Sequence, residues 1–233
     1  MRLVTTGMPD ANGVLKGALE IDLAPGWKTY WRDPGDAGVP PSVDVSASSN
    51  VESATLGLPP PVRVDDGTTR WAGYKHPVTF AVTLQTQPGS AAATLVTADI
   101  FLGLCETICV PLQARLELDP YADAGNAADA VIVQAAFDAL PSPAQPDFGV
   151  TPLAGSDAEM LLEATFPAGA EGDLFLATPP GYVLATPERK DAGGKVVFSV
   201  AVIDRPKEKP QGVTIPYTLV TSAGSVAGEL PLP

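Results

Sequence analysis

The sequence predicts an all-β chain built as two β-sandwich domains joined by a short helix. Three observations carry that expectation. The apolar segments are short and often alternate with polar residues, the period-two pattern of half-buried strands. Prolines and glycines, 25 and 22 of the 233 residues, interrupt those segments too often for a helical bundle. One Ala-rich stretch near the middle departs from the pattern and carries apolar residues at helical spacing. With 45% of its residues apolar, the chain is long enough to bury two small cores.

Taken in order, residues 14–23 read as a strand that the turn Ala24-Pro25-Gly26 ends. Trp27-Lys28-Thr29-Tyr30-Trp31 follows as an aromatic strand, with its rings assigned to core and edge packing. Residues 32–41 form a loop whose prolines and glycines forbid regular structure. Weaker strands lie near 42–45 and 51–56. An irregular stretch from Pro59 to Pro77 separates them from a clear strand at 78–84; loops this long inside a domain are often functional. Residues 93–102 and 112–118 read as two further strands. Asn126 is a plausible N-cap for the Ala-rich helix, and Pro141-Ser142-Pro143 ends it. Strands return at 159–166, 173–177, 195–203, 213–221 and 225–230, which suggests a second sandwich with no cysteine or histidine. The expected domains are therefore 1–122, a helical linker at 123–142, and 143–233 as a spacer or docking unit.

The formal net charge of −13 argues against nucleic acid or an anionic membrane surface as partner, since both demand a basic face. No apolar run of about 18 residues occurs, and residues 1–7 lack the apolar region of a signal peptide. The sequence thus fits either a cytosolic protein or a processed or truncated piece of an exported one. No P-loop, nucleophile elbow or dinucleotide fingerprint is present. The Asp33–Asp36 loop has too few oxygens for calcium, and His76 reads as a loop residue without a special role.

The two cysteines, Cys105 and Cys109, are the most informative residues in the chain. Three residues separate them, between predicted strands. On one extended strand such residues sit about 13 Å apart, whereas a disulfide needs Cβ atoms within about 4.5 Å. If the sulfurs bond, the chain folds back at Glu106-Thr107-Ile108. Four readings stand. A structural disulfide is one, although so short a ring restrains the unfolded chain by only about 2 kcal/mol, against ~4.7 kcal/mol for a hundred-residue loop. A zinc site needs four ligands, and only His76 is available to join the pair. Two reduced, buried cysteines are a third possibility. A redox-active pair at a hairpin tip is the fourth, and spacing alone leaves it level with the structural disulfide.

Two motifs bear on that choice. Residues 24–41, Ala24-Pro25-Gly26-Trp27-Lys28-Thr29-Tyr30-Trp31-Arg32-Asp33-Pro34-Gly35-Asp36-Ala37-Gly38-Val39-Pro40-Pro41, resemble the signature near the start of one periplasmic domain family. This is the N-terminal domain of DsbD-type and ScsB-type thiol:disulfide interchange proteins. Leu104-Cys105-Glu106-Thr107-Ile108-Cys109-Val110-Pro111 resembles that domain's redox motif, including the proline after the second cysteine. The resemblance covers residues 14–120, and the remainder looks more weakly like ScsB.

The resemblance implies an immunoglobulin-like sandwich in the periplasm, a soluble part of an inner-membrane protein, with no cofactor. Electrons would reach the pair from a membrane domain through a C-terminal thioredoxin-like domain. The pair would then reduce thioredoxin-fold partners, acting as a protein-disulfide reductase, and the chain is expected to be a monomer. Cys109 would attack and Cys105 would resolve. A cap loop is implied at 68–74, with Trp71 or Tyr74 as the ring over the sulfurs. Thr69 and Arg70 stand where DsbD has carboxylates, with Asp65 and Asp66 further back, so Arg70 is expected to favour a thiolate. The alternative is a non-catalytic β-sandwich binding or chaperone-like module with a merely structural disulfide.

Overall fold

The computed structural model describes residues 1–35, 38–65, 67, 69–87 and 94–233. Asp36, Ala37, Asp66, Thr68 and Ala93, which the sequence assigns to loops, the cap and a strand, lie outside the described residues. The chain divides into two compact units, Met1–Leu140 and Pro141–Pro233.

In the first unit the chain runs through β1 (Arg2–Thr5), β2 (Val14–Ile21), β3 (Lys28–Gly35), β4 (Ser42–Asp44) and β5 (Val51–Gly57). It continues through β6 (Val62–Asp65), β7 (Arg70–Tyr74), β8 (Val78–Thr86), β9 (Val96–Cys105), β10 (Cys109–Leu118) and α1 (Ala127–Asp138). One sheet has the order β1-β2-β8-β5. The other has the order β10-β9-β3-β7-β6, with β4 also paired to β9. The all-β, immunoglobulin-like expectation holds, and each strand read from periodicity is present to within a few residues.

Residues 59–77, expected to be irregular, instead hold the β6–β7 hairpin, paired from Val62↔Gly73 to Asp65↔Arg70. Pro59-Pro60-Pro61 and the polar sequence after Asp65 hid two strands of four and five residues, too short to show a period. Strand β1 was also unread, because two apolar residues between polar ends give no alternation to detect.

The strand period then sorts the side chains. In β2 and β8, Leu15, Leu19, Phe80 and Leu84 are fully buried, and the facing pairs Leu19↔Phe80 and Leu15↔Leu84 share one side of their sheet. The small residues Ala18 and Ala81 face each other on the opposite side. There Val133 and Ala136 of α1 pack on them, with Ile132, Phe137 and Leu140 around the edge. The helix has the expected N-cap: the Asn126 side chain accepts from Ala128 N at 2.9 Å and Asp129 N at 3.3 Å. Arg2 of β1 is ion-paired to Asp129 at its first turn. The helix therefore forms part of the first unit's packing, where the sequence suggested a connecting segment.

The second unit contains β11 (Ser142–Pro143), β12 (Gly149–Pro152), β13 (Glu159–Thr165), β14 (Gly172–Leu176) and β15 (Val183–Leu184). It ends with β16 (Glu188–Ala192), β17 (Lys195–Asp204), β18 (Thr214–Thr221) and β19 (Gly224–Pro231). Its sheets are β11-β19-β18-β14 and β12-β13-β17-β15, with β16 also on β17. Leu162, Phe198, Leu174, Ile215 and Leu219 lie in one buried cluster formed by strands of both sheets. Among the described residues, no helix is long and apolar enough to cross a membrane.

Candidate functional site: a covered disulfide at a hairpin tip

Strands β9 and β10 form an antiparallel hairpin whose first register pair is Cys105↔Cys109. Facing positions place side chains on one side of the sheet and close together. The two Cα atoms are 4.1 Å apart and the sulfurs are bonded, with Glu106-Thr107-Ile108 making the reversal. Alternation along β9 buries Val96, Ala98, Ile100 and Leu102, and puts Asp99, Phe101, Gly103 and Cys105 on the other face. Asp99 there pairs with the facing Arg115 at 2.7 Å. The disulfide thus belongs to the outer face of its sheet, outside the main core.

The two sulfurs have unequal surroundings. Cys105 is only 1% exposed and forms a small cluster with Tyr30, Trp71 and Val64. Cys109 is exposed, as are its neighbours Ile108 (74%) and Val110 (48%). Tyr30 supplies the direct contact. Its hydroxyl donates to Cys105 Sγ at 2.8 Å, and the same oxygen is 3.4 Å from Cys109 Sγ. Burial raises the phenol's pKa, so the hydroxyl remains a donor at neutral pH.

Glycines make room for that ring. A Cβ at Gly103, two residues before Cys105 on the same face, would lie 3.0 Å from Tyr30 Cδ2 and 3.1 Å from Val39 O. A Cβ at Gly38, whose φ of +134° already favours glycine, would lie 2.5 Å from Tyr30 Cε1.

Trp71 completes the cover. Its ring meets Tyr30 edge-on at a centroid distance of 6.0 Å and an angle of 80°. Lys28 Nζ lies 4.4 Å from the Trp71 centroid and Lys75 Nζ 5.7 Å from it. The indole N–H is buried with no hydrogen-bond partner among the described residues.

The residues assigned to the cap segment are split by β7, a strand and not a loop. Period two puts Trp71 on one side and Arg70 and Tyr74 on the other. Tyr74 is buried against Phe80 at 5.5 Å and donates its hydroxyl to Pro59 O at 2.7 Å, with its pKa pushed far up by burial. Arg70 Nε pairs with Asp65 at 2.8 Å. The cation that stands in register with Cys105 is Lys28.

Sequence reasoning missed both Tyr30 and Lys28 as parts of the site. The available signal was the parity of β3, which puts Lys28 and Tyr30 on one face and Trp31 on the other. No group of three or more His, Cys, Asp and Glu side chains capable of holding a metal occurs among the described residues.

This arrangement can do one kind of chemistry without further components. An exposed thiolate can attack a partner's disulfide, and a neighbour within sulfur reach can resolve the mixed disulfide. Tyr30→Phe should keep the ring and remove the donor. Because hydrogen bonding favours the charged form of its acceptor, the Cys105 thiol pKa should then rise by about one unit. The 240 nm thiolate absorbance of a Cys109→Ser chain, which leaves Cys105 as its sole thiol, measures this; an unmoved titration would show that the contact has no bearing on acidity.

Residues 8–120 match the family described as thiol:disulfide interchange protein DsbD, N-terminal. Among solved structures, the crystal structure of the N-terminal periplasmic domain of ScsB from Proteus mirabilis is similar over 97% of this chain and 91% of its own length. The TM-score is 0.76 at 21% identity, so the likeness speaks to the fold of both units. The comparison with curated proteins gives no match.

Proposed function

We propose, from the match of residues 8–120 to the DsbD N-terminal family, that the chain is a thiol:disulfide interchange module that works as a reductase relay. It passes two electrons from a membrane-borne donor to thioredoxin-fold partners through Cys105 and Cys109. The observation that carries the reading is the unequal exposure of the two sulfurs. A partner can approach Cys109, which sits exposed beside Ile108 and Val110, whereas Cys105 lies under Tyr30 and is placed to resolve. A disulfide kept only for stability gains nothing from one exposed sulfur at a tip flanked by apolar side chains, and its short ring contributes little entropy. Exposed apolar residues around a reactive group suit transient docking. Periplasmic residence as part of a membrane protein belongs to the same proposal. The second unit then serves as spacer or docking surface.

The reduction potential of the pair tests this. Equilibration of the chain with glutathione buffers should give a value near −200 mV, about where exchange with thioredoxin-fold partners operates. A value well below about −300 mV would mark a structural bond and overturn the relay.

A further inference from the structure

We propose that Lys28 is the counter-charge of the Cys105 thiolate, an electrostatic element of the exchange reaction that is held on Trp71 while the pair is oxidised. The inference rests on the relay reading above and deepens it. Lys28 stands directly opposite Cys105 in the β3–β9 register, so the two side chains leave the same face. Facing residues have Cβ atoms roughly 5 Å apart, and the lysine's flexible four-carbon stem lets its ammonium sweep that distance. In the oxidised pair neither sulfur carries charge, and the ammonium lies 4.4 Å from the Trp71 ring centroid. A cation–π contact at a partly exposed site is worth only about 1 kcal/mol, so a full negative charge on the adjacent sulfur outcompetes it. Lys28 therefore has two attractive positions, and the redox state of the pair selects between them.

The other groups facing Cys105 do not duplicate this. Cys109 faces it across β10, and Tyr30 offers a neutral hydroxyl from β3. Glu106, next in the chain, is an anion whose effect is the opposite one. Lys75, beyond the end of β7, lies further out at 5.7 Å from the Trp71 centroid. Arg70 is paired with Asp65.

The chemical consequence falls on the resolving step. The Cys109 thiolate first attacks the partner's disulfide, forming a mixed disulfide and expelling one partner thiolate. The Cys105 thiolate then attacks Cys109 Sγ; the bond between Cys109 and the partner breaks, and the second partner sulfur leaves as a thiolate. The partner disulfide has gained two electrons and the pair has lost two as its own bond forms. Lys28 lowers the cost of having Cys105 deprotonated for that attack.

The test uses the full chain in two forms. With Cys105 as the sole thiol in a Cys109→Ser background, Lys28→Gln should raise the thiol pKa by about one unit at low salt. Lys28→Arg should leave it nearly unchanged. The difference should shrink in about 1 M salt, where the screening length falls to ~3 Å; the Tyr30→Phe shift, which comes from a short-range contact with a neutral donor, should not. In the intact pair, Lys28→Gln should move the glutathione equilibrium towards the disulfide. The shift should reach about tenfold above both thiol pKa values, or roughly 30 mV, and vanish well below them.

Lys28→Met, which keeps most of the stem, separates lost charge from lost packing and should behave as Lys28→Gln does. Superimposable titrations of Lys28→Gln and the parent would overturn the proposal, as would an equal shift in Lys28→Arg. A parent pair that glutathione cannot reduce at all would instead overturn the relay reading.

Discussion

Cys105→Ala is expected to trap a covalent complex with a thioredoxin-fold protein, and Cys109→Ala to trap far less. The exposed Cys109 thiolate can still attack an incoming disulfide when Cys105 is gone. The mixed disulfide then has no neighbour to resolve it, so it accumulates and runs as a larger species on a non-reducing gel. With Cys109 removed, the remaining sulfur is that of Cys105, 1% exposed and beneath the Tyr30 hydroxyl, which a partner reaches poorly. The expected contrast is an order of magnitude or more in trapped yield, because reaction requires both thiolate and access. Equal trapping by the two variants would reverse the assignment of roles. No trapping by either, together with resistance to glutathione, would leave a structural disulfide.

Trp71→Ala should have the next largest effect, on stability and reactivity together. The ring is 3% exposed in a paired strand and touches Tyr30, so its loss leaves a cavity and not a slack loop. Truncating a buried aromatic costs about 3–5 kcal/mol. Because this cluster is a small one on the outer face, the lower end applies, read as a lower urea midpoint at unchanged slope. The freed Tyr30 ring would uncover Cys105, and small disulfides should oxidise the reduced pair several-fold faster. Trp71→Phe separates the two effects. It keeps an aromatic cover and removes a buried N–H that has no partner among the described residues, so its stability should change little. Tyr74→Phe is the matching control: the ring packs on Phe80 on the other side of β7, so the pair's reactivity should not move.

Much of this site was legible before any coordinates, and the gaps have physical causes. A reversal at the cysteine pair followed from the strands read on either side of it, and strand rise required it if the sulfurs bond, because residues four apart cannot bond along one strand. Trp71 was placed near the sulfurs by resemblance alone. Choosing it over Tyr74 required knowing that 70–74 is a strand, since only then does parity send the two rings to opposite sides. Tyr30 was read as core or edge packing and is buried, but its place over the sulfurs was not legible, because a buried aromatic in a strand has the same sequence signature on either face. Which face it occupies depends on the β3–β7 register and on the space left by Gly38 and Gly103, and neither is local information. Arg70 was expected to influence the thiols from its place in the motif, but the β6–β7 turn brings Asp65 opposite it and their ion pair occupies its side chain.

The β9–β10 ladder carries a last consequence. It runs through ten facing pairs, from Cys109↔Cys105 to Leu118↔Val96, and the sulfur bond is only its terminal crosslink. Cutting that crosslink is expected to leave the backbone pairing intact, so on the proposed relay the main chain would keep almost no memory of whether the module is charged with electrons or spent. A partner cannot distinguish the two states by the shape of the hairpin. On the proposed relay, spent and charged copies would therefore compete for the same docking partners. Turnover would then depend on how quickly spent copies dissociate, and the discrimination would have to reside in the side chains around the sulfurs.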